Sequence, residues 1–143
     1  MKCAFCELPE IKERQVAESE CAWAFLGNMP ITPGHTLVCP KRCLPRYEDL
    51  SLEEKEEVEL LRQKVCTALR KAVGAEGFNF AWNDGEGCGQ SEPHYHLHII
   101  PRTKNDAGIY EYEPRQFLYR PGTRATTPEQ ELQDVAKLVR AEL

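Results

Sequence analysis

Apolar residues gather in five short stretches along the chain, and in two longer segments they recur at the three- and four-residue spacing of a helix. Residues 15–18 and 22–26 (Ala22-Trp23-Ala24-Phe25-Leu26) read as two strands, the second closed by Gly27-Asn28. Thr36-Leu37-Val38-Cys39 is a third, bounded by Pro33-Gly34 and Pro40. Ser51 then opens a helix. Its side chain and that of Glu54 can satisfy each other's free backbone N–H as a capping box. Leu60, Leu61, Val65, Ala68, Leu69 and Val73 follow at helical spacing until Gly74 stops the run. The acidic run Glu53 to Glu57 sits at the positive end of the helix dipole and reads as a solvated face. Residues 77–82 alternate as a fourth strand, residues 84–91 form a glycine-rich loop, and residues 95–101 make a fifth strand. Thr127 as N-cap, Pro128 at the first helical position and Gln130 as a capping side chain predict a last helix over about residues 128–142. Five strands joined mostly by tight loops, one long crossover helix and a C-terminal helix predict an α+β fold built on a five-stranded antiparallel sheet.

The 143 residues suit one domain spanning 1–143. A net charge of −5 argues against a non-specific nucleic-acid binder, although a local positive pocket for phosphate is compatible with it. No apolar run reaches the roughly 18 to 20 residues of a membrane span. The N-terminus meets Glu7 and Pro9 too early for a signal peptide, so a cytoplasmic protein without a membrane partner is expected. Seven scattered cysteines, an odd count, read as reduced thiols; only Cys3 and Cys6 are close enough to share a task.

Three of the four histidines fall in one strand segment, His94-Tyr95-His96-Leu97-His98. Side chains alternate across a strand, so the three imidazoles share one face while Tyr95, Leu97 and Ile99 face the other and can pack on a helix. A row of imidazoles makes a poor core. It can converge on a metal, or serve as nucleophile and proton donors to a phosphoryl group.

His-x-His-x-His followed by two apolar residues resembles the signature of the histidine-triad (HIT) nucleotide hydrolases and transferases. Pro33-Gly34-His35-Thr36-Leu37-Val38-Cys39-Pro40-Lys41 resembles a further strand motif of that family, and Asn83-Asp84-Gly85 with Gly89-Gln90-Ser91 resembles its phosphate loop. The resemblance covers about residues 3–102 and leaves 103–143 as a C-terminal extension. It implies that neutral His96 attacks the α-phosphorus and forms a covalent nucleotidyl-histidine that water hydrolyses. His98 would donate to a phosphoryl oxygen or the leaving group, Ser91 and Asn83 would contact phosphate from the loop with Gln90 beside them, and His35 would line the same pocket. Histidine at position 98, where nucleotidyl-transferring relatives tend to have glutamine, resembles the hydrolase branch.

The resemblance also implies a structural Zn²⁺ held by Cys3, Cys6, Cys43 and His94, a closed set with no open position for substrate. Ala4, Phe5, Leu8 and Phe25 match the family's base-pocket positions. The ribose-binding acid is replaced by Gly27, leaving Asn28 as the candidate contact. The segment with Tyr110, Tyr112, Arg115, Tyr119, Arg120 and Arg124 lies outside the match. Members of the family are commonly homodimers built across the helix and the sheet edge. Two other readings stay open: a metal-dependent hydrolase with His96 and His98 as ligands, and a non-catalytic nucleotide-binding module.

Overall fold

The computed structural model describes residues 3–106 and 126–143. Two short helical turns, α1 (Ala4–Glu7) and α2 (Pro9–Glu13), precede β1 (Gln15–Glu18), β2 (Ala22–Leu26) and β3 (Thr36–Pro40). The long helix α3 (Leu52–Ala72) leads to β4 (Gly77–Ala81) and β5 (Leu97–Arg102), and α4 (Glu129–Arg140) follows. The strands form one sheet in the order β1-β2-β3-β5-β4, and every neighbouring pair is antiparallel. The α+β architecture expected from the chain is therefore present. The segment from Tyr110 to Arg124 lies outside the described residues.

Register assigns the two faces of the sheet. Phe25 pairs with Leu37, and Leu37 with His98. Ala24 pairs with Val38, and Val38 with Leu97. Directly opposed residues point to the same side, so one face carries Phe25, Leu37 and His98 and the other Ala24, Val38 and Leu97. The second face packs on α3 and α4 through Val58, Leu61, Val65, Leu69, Leu132, Ala136 and Val139. The first is covered by the N-terminal arm, where Cys3, Phe5 and Ile11 meet Trp23, Phe25, Leu37 and Cys39. Covered on both sides, every residue of β2 and β3 is buried.

The Ser51–Glu54 capping box forms as expected, and Gly74, at φ 70°, follows the end of α3. Gly34 sits at φ 92°, and a Cβ there would come within 2.9 Å of the Leu69 side chain, so the turn into β3 needs glycine for both reasons.

Four expectations are corrected. Leu60 is 58% exposed, on the outer side of α3. Glu54 is buried and grips Arg42, and Glu57 accepts hydrogen bonds from the backbone N–H and thiol of Cys21, so the acidic run fastens loops to the helix. The last helix spans Glu129–Arg140 with Pro128 as N-cap and no side-chain cap; the Thr127 N–H is instead committed to the Asn28 carbonyl. Finally, β5 begins at Leu97, two residues later than expected. The backbone groups of the preceding residues are committed elsewhere: Tyr95 N–H donates to the Leu44 carbonyl, and the His94 carbonyl accepts from the His96 ring.

Candidate active site and metal cluster

His94 and His96 stand on the lead-in to β5 and His98 on the strand itself. Alternation nonetheless persists through the lead-in, because Tyr95, Leu97 and Ile99 all join the helix-side core. The His96 and His98 rings lie 4.9 Å apart, and His35, from the turn before β3, reaches His98.

Each of the four imidazoles, taken as neutral, has its tautomer set by a neighbour. His96 Nδ1 lies 2.8 Å from the His94 carbonyl and must carry the proton, leaving the lone pair on Nε2. Burial lowers the His96 pKa, outweighing the opposing pull of that carbonyl, and so favours the neutral ring that a nucleophile requires. His35 Nδ1 accepts the Ile31 N–H at 3.0 Å, which places the His35 proton on Nε2. That proton faces His98 Nδ1 at 2.9 Å, so His98 carries its own proton on Nε2. The face thus offers one lone pair and, on the next strand residue of the same side, one N–H donor.

His94 is turned the other way. Its Nε2–H donates to the Pro40 carbonyl at 2.6 Å, and its Nδ1 lone pair faces the sulfurs of Cys3 at 3.4 Å and Cys6 at 3.6 Å. Cys43 completes the group, with all four ligand atoms within 4.8 Å of one another. A tetrahedral Zn²⁺ with Zn–S near ~2.3 Å and Zn–N near ~2.0–2.1 Å requires S···N edges of about 3.5 Å, and both observed sulfur–nitrogen distances fit. The Pro40 carbonyl supplies the outer hydrogen bond that a metal-bound imidazole ordinarily has. Partial burial, then the Cys3 and Cys43 sulfurs, hold the Cys6 thiol up at about 12. Such crowding of thiols is relieved when a cation displaces their protons. The residues present fit zinc.

The loop of residues 84–91 is braced rather than slack. Gly85 N–H donates to Gln90 Oε1 at 2.7 Å, and Gln90 Nε2 donates to the Pro45 carbonyl at 2.9 Å. Gln90 therefore ties the loop to the segment after Cys43. Ser91 is exposed beside it, lining a cleft of about 560 Å³ with Arg46, Asp84, Glu86 and Glu92. Asn83 is half-buried ahead of the loop, and Asn28 is exposed at the end of β2. Leu8 is 49% exposed, whereas Phe25 is fully buried between Phe5 and Trp23. Phe5 stands edge-on to His96, with ring centres 5.0 Å apart.

The model of the HIT domain matches residues 8–105. The chain belongs to the HIT family. A relative from Dictyostelium discoideum named bis(5'-adenosyl)-triphosphatase is 39% identical over 108 residues, covering 69% of this chain and 72% of that protein. Among solved HIT structures, a HIT-like protein from Bartonella henselae superposes with a TM-score of 0.75 at 34% identity, covering 91% of this chain and 86% of that one. A zinc-bound histidine-triad protein from Mycobacterium smegmatis gives a TM-score of 0.75 at 28% identity, covering 99% of this chain and 93% of that one.

Reading the chain alone missed several groups that shape this HIT site. Glu92 accepts the Ala4 N–H at 3.1 Å and pins the arm to the histidine segment. The His94 and Pro40 carbonyls and the Ile31 N–H orient the imidazoles. Backbone groups carry no residue-type signal, so nothing in the pattern of side chains could have marked them.

Proposed function

We propose that this protein is a nucleotide hydrolase that cleaves at the α-phosphorus through a nucleotidyl intermediate on His96. The observation that carries the reading is the tautomer set: a buried His96 with Nε2 unprotonated, beside a His98 whose Nε2 bears a proton. In the first step the His96 Nε2 lone pair bonds to phosphorus, and the bond from phosphorus to the leaving oxygen or nitrogen breaks. The leaving group takes the electron pair, steadied by a hydrogen bond from His98 Nε2–H, and picks up its proton from solvent. The His94 carbonyl, on the Nδ1–H of His96, stabilises the positive charge that grows on that ring. Water then attacks the phosphorus, the P–N bond returns its electrons to His96, and the proton of the attacking water passes to solvent, balancing the one taken up by the leaving group. Nucleoside monophosphate and the protonated leaving group are the products.

The name of the Dictyostelium relative favours dinucleoside polyphosphates, and the same chemistry serves phosphoramidates and related anhydrides. Ser91 and Asn83 bind phosphate from the loop, Leu8 and Phe5 border the base, and Asn28 contacts the ribose. Phe25 acts from behind Phe5. Cys3, Cys6, Cys43 and His94 hold a structural zinc that cross-links the arm to the sheet and supplies no reactive position. A metal-dependent mechanism is disfavoured, because the metal-capable groups found among the described residues do not include His96 or His98. The free edge of β4, with Phe80 and Trp82 about half exposed, forms the homodimer contact. Seven free thiols suit a reducing compartment such as the cytoplasm.

The test is to incubate the protein with a nucleotide labelled on its α-phosphorus, quench with acid-free denaturant and look for label on the chain. Label is expected on the wild type and absent from His96→Asn, whose kcat falls at least about 10³-fold. Full turnover in His96→Asn would exclude the mechanism.

A further inference from the structure

The N-terminal arm touches the histidine segment at three successive points. The Ala4 N–H meets Glu92, the Cys3 and Cys6 sulfurs meet His94, and Phe5 between them meets His96. The Phe5 ring stands at 89° to the His96 imidazole with centres 5.0 Å apart, tilts against His94 at 5.7 Å, and is backed by Phe25 at 5.1 Å. It is 9% exposed, too little to serve as an open wall of a base pocket alone.

A single hydrogen bond does not hold an imidazole at one angle. The ring-to-chain torsion of histidine is broad, and a carbonyl oxygen accepts over a wide range of directions. His96 therefore needs further contacts to keep Nε2 aimed; the His98 ring at 4.9 Å is one, and the Phe5 ring at 5.0 Å is the one supplied by the N-terminal arm. Phe5 in turn lies on a helical turn of four residues, far below the length at which a helix persists by itself. What holds the turn is its neighbours: the Ala4 N–H on Glu92, and Cys3 and Cys6 on either side of Phe5, both directed at His94.

We infer that Phe5 is a positioning residue for His96, and that metal binding by Cys3, Cys6, Cys43 and His94 sets the aim of the nucleophile by fixing that ring. The inference rests on the reading of His96 as nucleophile. It makes the structural metal a determinant of the chemical step although it holds no substrate.

The experiment compares wild type, Phe5→Ala and Phe5→Leu, each zinc-loaded and chelator-stripped, by two readouts. The first needs no turnover: exchange of the His96 Nδ1–H with solvent, followed by NMR on protein labelled with ¹⁵N-histidine. The second is kcat and KM on an adenosine 5'-phosphoramidate. In zinc-loaded Phe5→Ala the ring N–H is expected to exchange at least tenfold faster, and kcat to fall about 10- to 100-fold. Stripping zinc is expected to do the same to the wild type, yet to change kcat of Phe5→Ala by less than about threefold, since the connecting ring is already gone. Phe5→Leu keeps the burial and the fold, and its exchange should lie between the two. A rise in KM alone, with kcat and ring exchange unchanged, would leave Phe5 as a base contact only and overturn the inference. Equal losses on stripping wild type and Phe5→Ala would overturn it too. If wild type turns over no nucleotide the proposed hydrolysis fails, while the exchange readout still decides whether metal and Phe5 hold the ring.

Discussion

Replacing Glu54 with glutamine changes one atom in the device that fastens the Cys43 loop to the long helix. The Glu54 side chain is only 4% exposed and accepts two hydrogen bonds from Arg42, at 2.6 and 3.0 Å, and one from the Ser51 N–H at 2.9 Å. Arg42 is the main cause of a carboxyl pKa held down from 4.5 to about 2, against the opposing effect of burial. That depression corresponds to at most about 3 kcal/mol. Because the Arg42 side chain is 61% exposed, water screens much of the interaction, and a net stabilisation of about 1–2 kcal/mol is the working figure. Glutamine keeps the capping contact with Ser51 but loses the charge. Folded Glu54 binds its proton less readily than the unfolded chain does. Its contribution is therefore complete above about pH 4.5 and disappears as the pH falls toward about 2. Urea unfolding at pH 7 should show Glu54→Gln less stable by about 1–2 kcal/mol, or about 3–6 °C in Tm, with the gap closing between pH 4.5 and 2. A gap below about 0.3 kcal/mol at pH 7, or one that stays constant into acid, would refute this account of the loop anchor.

The purified wild type is expected to retain about one zinc per chain, and Cys43→Ser to bind it at least about tenfold more weakly in competition with a chromogenic chelator. Equal affinity would remove Cys43 from the metal set. At Gly27 an added Cβ would meet nothing closer than 3.7 Å, so Gly27→Asp should fold and restore a carboxylate for the ribose, lowering KM for nucleotides about tenfold; an unchanged KM would show that the ribose is held elsewhere. Phe80→Lys puts a charge on the exposed edge strand and should shift sedimentation from dimer toward monomer, whereas an unaltered sedimentation profile would place the dimer contact on another surface.

Local physics was legible wherever a residue's role depends on its near neighbours. The capping box needs only Ser51 and Glu54, and both bonds form. The parity of His96 and His98 against Leu97 and Ile99 follows from a period of two, and it persists even where the ladder does not begin until Leu97. Glu54 and Glu57 misled for the opposite reason. Near a helix N-terminus an acidic run resembles a solvated face until Arg42 and Cys21 are brought against it by the fold. Gln90, expected beside phosphate, also braces the loop through the Gly85 N–H and the Pro45 carbonyl, backbone partners that the chain alone does not mark.

The chain by itself determined the elements and the shared side of two imidazoles, since each follows from spacing over a few positions; Cys3, Cys6, Cys43 and His94 were implied by the family resemblance, and it is the fold that brings them together. Only the tertiary structure decided which nitrogen of each ring carries its proton. That choice belongs to partners far away in sequence or without side-chain identity: the Pro40 carbonyl for His94, the Ile31 N–H for His35, and His35 in turn for His98. A histidine becomes a metal ligand, a nucleophile or a donor according to which of its two nitrogens the surrounding backbone has already occupied.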